Sequence, residues 1–305
     1  MLVNKSTLSL IFTNLKTNFN KALKSATPMW DQVAMKIPST GSENSYAWFG
    51  NFPRLRKWVG EKVVKSLAAH KYTVVNDDYE STVGVRRNDI EDDNLGIYKL
   101  QAEAAGEAAK MWPDDIVFTC VNNAFTEKCY DGKPFFASNH PNGDKQTFSN
   151  SGTKKLDASS LAAAQASYGA ARTALRKMKD EDGKPLAINP NLLLVPPALE
   201  DVANALVTAE RLDDGKTNIY KGTCKVLVCP HLTSDTAWFL LDTTQVLRPF
   251  LFQERKAPVL VSQTDMSSDA VFDRAEYKFG AEARGAAGYG LPQLAYGSKG
   301  TAAAV

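Results

Sequence analysis

Cysteine and histidine are scarce in this chain, with four and three copies among 305 residues. Four cysteines are too few for a disulfide framework, and they are consistent with folding in a reducing compartment. A chain of this size can bury about three quarters of its unfolded surface, so it needs neither a disulfide nor a metal for stability. We therefore expect a protein that is made in the cytoplasm and folds around an ordinary hydrophobic core.

Long apolar runs are also missing. The apolar run at 8–12 is short, has no small-residue cleavage pattern after it, and gives way to Lys16 and Asn18. No stretch approaches the roughly 20 apolar residues that a membrane span requires. The sequence therefore predicts neither a signal peptide nor a membrane partner.

An excess of one charge sign is the third absence. Lys and Arg number 36 and Asp and Glu number 34, which gives a formal net charge of +2. A protein that coats nucleic acid through bulk positive charge is basic, so the balance argues against that class. A local basic face stays compatible with it.

Catalytic and cofactor motifs are absent as well. The chain has no nucleophile elbow, no zinc-protease helix motif and no phosphate-binding glycine loop. An acidic run that begins at Asp89 fails as a calcium loop, because Asn94 and Leu100 stand where glycine and glutamate are needed. We predict a protein that is not an enzyme and holds no cofactor and no metal.

Two histidines are the remaining candidates for chemistry. Cys229 and His231 form a local pair of metal-ligand types, but Cys224 lies five residues before Cys229 in a predicted strand, on its opposite face. Buried free thiols are therefore the simpler interpretation. The context of His140 indicates a turn, and a hydrolase that uses His140 is kept as one alternative.

The N-terminal part predicts a helix followed by an arm. Apolar residues recur at three-to-four spacing over 6–24, at Leu8, Ile11, Phe12, Leu15, Phe19 and Leu23. Pro28, Pro38 and the stretch 41–45 then break up residues 25–45, which indicates an arm rather than a core. Such a helix and arm can dock on their own domain or reach a neighbour.

Residues 46–65 combine aromatic and basic side chains in a way that is unusual for a core. The side chains predicted to make an intersubunit contact are Trp48, Phe49, Arg54, Arg56 and Trp58. Aromatic residues and arginine are enriched in protein interfaces. The same mixture also suits base stacking on nucleic acid, or a solvated loop with a few anchored rings. The protein contact is the leading interpretation.

The rest of the chain predicts an α+β protein. Strands are expected at 72–75 and 79–85, a helix to about residue 111 that Trp112 and Pro113 end or kink, and a second helix from 114 to about 125. A short strand at 135–136, a helix at 157–179, a buried strand at 191–195 and a helix at 198–210 follow. Further strands are expected at 223–229, 237–241, 247–253, 258–262 and 271–284, then a Gly- and Ala-rich tail. We identify no internal repeat.

Several stretches together resemble the major head (capsid) subunit of Mu-like tailed phages, a family with the HK97-like capsid fold. In chain order these are WVGE at 58–61, YTV at 72–74, RNDIEDDNLG at 87–96, CYDGKPFF at 129–136 with HP at 140–141, LVPPALE at 194–200, Asp265, SDAVFD at 268–273 and ARGAAGYG at 283–290. Each stretch is a weak signal alone, but their order along nearly the whole chain is specific.

The resemblance implies a domain layout. It consists of an N-terminal arm at 1–38, a β-hairpin extension called the E-loop at 39–76, a peripheral domain at 77–156 with a spine helix at about 91–111, an axial domain at 157–250, return strands of the peripheral domain at 251–285 and a C-terminal tail at 286–305. No catalytic residue transfers, because such subunits have none.

The resemblance also implies a function and partners. The chain would self-assemble through arm and E-loop contacts into hexamers and pentamers of an icosahedral shell that encloses phage DNA. Scaffold or protease, portal and decoration proteins would be partners, with non-specific contact to packaged DNA, and the location would be the virion. A nucleic-acid-binding protein that uses 46–65 is the alternative of another class. Physically, an arm and a projecting hairpin bury little surface in one subunit, so they are stable only against neighbours.

Overall fold

The computed structural model describes residues 5–46, 72–92, 95–143, 146–212, 215–265 and 268–302. The helices are α1 (Lys5–Ser25), α2 (Arg87–Glu91), α3 (Leu95–Asn123), α4 (Leu161–Arg176), α5 (Glu200–Thr208) and α6 (Asp269–Arg274). The strands are β1 (Ala34–Pro38), β2 (Glu43–Ser45), β3 (Thr73–Val75), β4 (Asp77–Arg86), β5 (His140–Asn142), β6 (Gln146–Phe148), β7 (Ser151–Lys154), β8 (Leu192–Val195), β9 (Lys225–Val228), β10 (Trp238–Leu241), β11 (Phe250–Gln263), β12 (Glu276–Tyr289) and β13 (Ala295–Ala302). Short 3-10 turns lie at Trp30–Gln32, Pro197–Leu199 and Pro292–Leu294.

A four-stranded sheet carries the two longest helices. Its strand order is β1-β11-β12-β4, with β1 parallel to β11 and the other pairs antiparallel. Helices α1 and α3 pack against each other, and both contact this sheet. Between them lies a separate hydrophobic cluster, which includes Phe19 of α1, Ala102 of α3 and Tyr277 of β12. The predicted helix at 6–24 is confirmed as α1, and it docks on its own chain.

A five-stranded sheet in the order β7-β13-β10-β8-β9 forms the second half of the fold. All residues of β8 and β10 are buried, as expected for central strands. Helix α5 contacts β8 and β9, and α4 contacts α5 and β13. The apolar faces of these elements therefore form the larger hydrophobic core.

Phe135 and Phe136 join the two sheets. The ring of Phe135 lies 5.0 Å from that of Phe250 in β11, and the ring of Phe136 lies 5.4 Å from that of Phe239 in β10. The sequence predicts a short strand here, but the backbone is irregular and both rings are buried. The two adjacent rings thus pack on opposite sides, one against each sheet.

Helix α3 is longer than the sequence predicts. The predicted second helix from 114 is wrong as a separate element, since one helix runs from Leu95 to Asn123 with Pro113 inside it. The next residue, Asp114, is fully buried, and its carboxylate accepts hydrogen bonds from the backbone N–H groups of Met29 (2.9 Å) and Trp30 (2.7 Å). Burial raises the pKa of Asp114. This contact with a distant segment offsets the hydrogen bond that proline removes.

Part of the segment predicted as an arm, residues 29–38, packs on the core of its own chain. Strand β1 pairs in parallel with β11, with Ala34 opposite Phe250, and Val33 and Ala34 are buried. The Trp30 ring packs 4.7 Å from the Phe252 ring. Pro38, one of the prolines that suggested an arm, is compatible with this position, because it ends the edge strand β1.

The C-terminal half differs from the predicted strands in two places. The strands expected at 247–253 and 258–262 form one strand, β11, with irregular pairing between Glu254 and Val259. Pro258 lies in that irregular part, where its missing N–H is tolerated. The strand expected at 271–284 begins as helix α6 and continues as β12.

The segment after residue 285, predicted to be a tail, forms strands instead. Strand β12 continues to Tyr289, and β13 lies inside the five-stranded sheet between β7 and β10. Small residues such as Gly297 allow the close approach, since an added Cβ there would lie 2.7 Å from the Phe136 ring. The small side chains of this segment therefore allow close packing between the strand and the core.

A short internal repeat is present after all. The stretches KCYDGKP at 128–134, KDEDGKP at 179–185 and RLDDGKT at 211–217 are each closed by a bridge between the first and last residues. Residues 213–214 of the third stretch lie outside the described residues. Gly132, Gly183 and Gly215 have φ values of 76°, 77° and 83°, the left-handed region that favours glycine. The shared Asp-Gly-Lys is the signal that reveals the repeat.

Candidate assembly interface at the hairpin base

Strands β2 and β3 form the base of a hairpin. They pair antiparallel, with Glu43 opposite Val75 and Ser45 opposite Thr73. The chain between them runs through residues 47–71, which lie outside the described residues. The predicted contact residues Trp48, Phe49, Arg54, Arg56 and Trp58 all lie in that stretch. The structure therefore describes the support of the predicted interface.

A buried glutamine ties both arms of the hairpin to the sheet. Gln253 of β11 is fully buried, and its Oε1 accepts a hydrogen bond of 2.7 Å from the Tyr46 hydroxyl. Its Nε2 donates to the carbonyl oxygen of Val74 (3.1 Å) and to Oδ1 of Asn76 (2.7 Å). Tyr46 is on the chain that leaves β2, and Val74 and Asn76 are on the chain that returns.

A second set of hydrogen bonds extends this network to the turn before β2. Nδ2 of Asn76 donates to Oγ of Ser39 (2.8 Å) and to the carbonyl oxygen of Gly41 (3.0 Å). The Ser39 hydroxyl donates to Oδ1 of Asn44 at 3.0 Å. Buried polar groups cost stability unless they are hydrogen-bonded, and here they satisfy one another.

Tyrosines complete the base. The rings of Tyr46 and Tyr72 lie 6.3 Å apart, and the Tyr72 hydroxyl accepts a hydrogen bond of 3.0 Å from the backbone N–H of Tyr289. Burial raises the pKa of both Tyr46 and Tyr72. Both hydroxyls are therefore neutral at physiological pH.

A cleft of about 410 Å³ opens beside the hairpin base, between β3, α3 and the end of β12. At its wall the Tyr289 hydroxyl lies 2.8 Å from Oε2 of Glu127, and Asn123 donates to the other carboxylate oxygen at 3.0 Å. Val75, on the rim, is 56% exposed. The cleft and the exposed valine give the hairpin base a surface with both polar and apolar groups.

His140, the candidate hydrolase residue, lies in the interior. It begins strand β5 rather than a turn, and it is fully buried. Its Nδ1 lies 2.6 Å from Oδ2 of Asp131, and its Nε2 lies 3.2 Å from the carbonyl oxygen of Phe135 and 3.1 Å from Oδ1 of Asn150. Its ring stacks on that of Phe148. A side chain without solvent access cannot act on a substrate.

Cys129, Asp131 and His140 form one group of potential metal ligands among the described residues. Sequence spacing did not reveal it, because a turn and a strand bring the three together. The Cys129 thiol donates to Oδ1 of Asp131 at 3.2 Å, and burial raises its pKa, which disfavours the thiolate that binds metal. The oxygens of Asp131 accept hydrogen bonds from Cys129, His140 and the backbone of Lys133. This is a hydrogen-bonded core cluster.

The other candidate ligands occupy separate places. Cys224 and Cys229 flank β9, and the Tyr168 hydroxyl donates to the Cys224 sulfur at 3.2 Å. The His231 ring stacks on Phe118, and its Nδ1 lies 3.3 Å from Asp115. Each side chain has a packing partner of its own.

No helix in the described ranges is long and apolar enough to cross a membrane.

Known proteins share this architecture along the whole chain. The procapsid subunit of bacteriophage JBD30 superposes with a TM-score of 0.64 at 30% sequence identity, covering 97% of this chain and 76% of that chain. The subunit in the JBD30 capsid decorated with minor capsid protein trimers gives 0.57 at 29% identity, covering 69% of this chain and 93% of that chain. The fold, with its long helix on one sheet and its hairpin base, is that of an HK97-like phage capsid subunit.

Sequence comparison gives the family. The model of the Mu-like prophage major head subunit gpT matches residues 8–166, 157–232 and 233–304. The major capsid protein of Escherichia phage Mu is 29% identical over 300 residues, which are 98% of this chain and 76% of that protein. The chain belongs to the Mu-like major head subunit family, whose members are structural capsid proteins and not enzymes. The relatives give no support to the nucleic-acid-binding alternative.

Proposed function

We propose that this chain is the repeating subunit of an icosahedral phage head and assembles with copies of itself around the packaged DNA. The observation that carries the proposal is the family match along nearly the whole chain. Closed shells form when one contact repeats around symmetry axes, and a projecting hairpin suits such a contact. The near-neutral net charge of +2 suits close packing of many copies.

We assign the six parts of the chain as the family suggests: arm 1–38, E-loop 39–76, peripheral domain 77–156 and 251–285, axial domain 157–250 and C-terminal segment 286–305. Two separate sheets support a division into two domains. The hairpin formed by β2 and β3 supports the position of the E-loop.

The E-loop carries the contact between neighbouring subunits. In this assignment Trp48, Phe49 and Trp58 are buried against a neighbour, and Arg54 and Arg56 pair with its acids. Aromatic residues and arginine dominate interface energetics when they are desolvated. The buried hydrogen-bond network at the hairpin base supports the assignment, because it holds the start and end of this segment in place.

The partners follow from the same role. Hexamers and pentamers of this chain build the shell, a scaffold or protease and a portal assist assembly, and packaged DNA makes non-specific contacts. Decoration is supported by the JBD30 capsid, which carries minor capsid protein trimers. The subunit is made in the host cytoplasm and ends up in the virion.

The test is a double substitution, Trp48→Ala with Trp58→Ala. Each anchor loses about 2 kcal/mol or more of contact free energy when cut to alanine. Because the contact repeats in every copy, shells should be abolished or form slowly, as followed by light scattering and negative-stain microscopy. The circular dichroism of the free subunit should be unchanged.

Trp58→Phe serves as the matched control and should assemble, since it keeps an aromatic anchor. Normal shells from the double variant would contradict the proposal. Weaker salt-dependent DNA binding by Arg54→Ala with Arg56→Ala, together with normal shells, would favour the nucleic-acid alternative.

A further inference from the structure

We propose that Gln253 is a positioning residue that holds the β2/β3 hairpin in one direction relative to the sheet, and so presents the E-loop to a neighbouring subunit. The inference rests on the proposed function of that loop. It starts from one observation: a fully buried side chain of β11 makes hydrogen bonds to both arms of the hairpin.

The amide of Gln253 has one orientation. The group that faces the carbonyl oxygen of Val74 must be the NH₂, because a carbonyl only accepts hydrogen bonds. Oε1 then faces the Tyr46 hydroxyl, which donates to it. Reversing the amide would place two acceptors against each other at Val74, so the side chain cannot flip without losing hydrogen bonds.

The orientation of Asn76 follows in the same way. Its Nδ2 donates to the carbonyl oxygen of Gly41, so its Oδ1 is the atom that accepts from Gln253. The turn before β2, the chain after β3 and the sheet strand β11 therefore share one directed set of hydrogen bonds. A hairpin held only by the ladder between its two short strands would lack this link to the sheet.

The link is specific to the hairpin. Strand β11 keeps its backbone ladders with β1 and β12 whatever side chain stands at 253. Leucine at this position would leave the sheet hydrogen bonds intact but remove the acceptor of the Tyr46 hydroxyl and the donor to Asn76. The hairpin base would then move more freely than the sheet that carries it.

Hydrogen exchange of the unassembled subunit, followed by mass spectrometry, tests the proposal on Gln253→Leu. Amides in 39–46 and 72–76 should exchange at least tenfold faster than in the unchanged protein, while amides of α3 and β12 keep their protection. Shells from this variant should form more slowly or vary more in diameter.

Gln293→Leu is the matched control. Gln293 is also buried, but it lies in the 3-10 turn before β13, and its Nε2 donates to the Tyr130 hydroxyl at 3.3 Å. This variant should leave exchange at 39–46 and 72–76 unchanged. If Gln253→Leu fails to fold, Tyr46→Phe removes one hydrogen bond of the set and should accelerate the same amides by a smaller factor.

Unchanged exchange at the hairpin base in foldable Gln253→Leu, or equal acceleration in both glutamine variants, overturns the proposal. Unchanged shells alongside faster exchange also overturn it, since the hairpin would then be loosened without effect on assembly. These results differ from a failure of the proposed function, in which the unchanged chain itself forms no shells.

Discussion

The Asp131–His140 pair shows how a single residue can look catalytic in sequence and be structural in the fold. Both side chains are almost fully buried, at 1% and 0% exposure. Asn150 donates its NH₂ to the carbonyl oxygens of Phe135 and Pro292, and its Oδ1 accepts from Ala137. Both ring nitrogens of His140 therefore face oxygen atoms at hydrogen-bond distance. The pair ties the first Asp-Gly-Lys turn to β5 and to the segment before β13.

Removing one partner of this pair should be costly. We expect Asp131→Ala to lower the free energy of unfolding by about 3–5 kcal/mol at pH 7, because it leaves buried donors without their acceptor. Burial raises the pKa of Asp131, but the hydrogen bonds from His140 and Lys133 outweigh it and hold that pKa below its ordinary value of 3.8. The carboxylate thus stabilises the fold above pH 4, and this is lost as pH falls through the lower folded pKa.

Urea denaturation of the free subunit at several pH values measures this effect. The difference between the two proteins should be constant near neutral pH and shrink below about pH 4. Asp182→Ala, at the same place in the second turn but exposed, should change stability by no more than about 0.5 kcal/mol. A loss of similar size in both variants would show that the turn, not the buried pair, matters.

At the scale of elements, the contact between α1 and α3 decides what the N-terminal helix does. Four residues of α1 are buried in the smaller cluster: Leu8, Ile11, Leu15 and Phe19. The backbone of the two helices approaches closely at Gly106, where an added Cβ would lie 2.4 Å from the carbonyl oxygen of Phe19. Helix α1 is therefore held by close backbone packing against α3 as well as by the burial of its apolar side chains.

We expect Gly106→Ala to destabilise the protein, although a change from glycine to alanine inside a helix usually stabilises it. Alanine in place of glycine in a helix interior normally adds about 1 kcal/mol. Here we expect a lower melting temperature and faster trypsin cleavage at Lys16, Lys21 and Lys24, because the methyl group pushes α1 away from α3. Glu107→Ala, on the exposed side of α3, is the control and should leave both measurements unchanged. A stabilised Gly106→Ala would mean that α1 can shift without cost.

At the scale of the whole molecule, the two sheets are closed by parts of the chain that are far apart in sequence. Strand β1 pairs with β11 at the edge of the four-stranded sheet. Strand β13, from the other end of the described chain, lies between β7 and β10 in the five-stranded sheet. The ring of Phe135 stacks on Tyr289 at 5.0 Å and also contacts Phe250. Each sheet thus depends on pairing that is complete only when nearly all of the chain is present.

Truncation after Tyr289 should abolish folding. It removes the 3-10 turn and β13, so β10 loses a strand partner and buried residues such as Trp238 lose their cover. We expect an insoluble product, or a soluble one without the near-ultraviolet circular dichroism of packed aromatic rings. A soluble, cooperatively unfolding truncation would restore the interpretation of residues 286–305 as a tail.

The sequence by itself determined the elements whose signal is local. The three-to-four spacing of Leu8 to Leu23 defines α1, the apolar run at 191–195 defines β8, and the ordered stretches from 58 to 290 indicate the family. The missing catalytic and cofactor motifs indicated a protein that is not an enzyme, and the family is structural. The helix and strand signals are local, so periodicity and residue type are sufficient for them, whereas the family signal comes from the order of short stretches along nearly the whole chain.

Only the tertiary structure decided the rest. Helix α3 continues through Pro113 because Asp114 binds backbone groups at Met29 and Trp30. Strand β1 exists because Ala34 meets Phe250, and His140 is buried where its ring nitrogens lie within hydrogen-bond distance of Asp131 and Asn150. These partners are separated by 9 to more than 200 residues, and the free energy that fixes each local structure comes from that distant contact. The pattern of neighbouring residues along the chain contains no information on these distant contacts, so it cannot predict the structures that they stabilise.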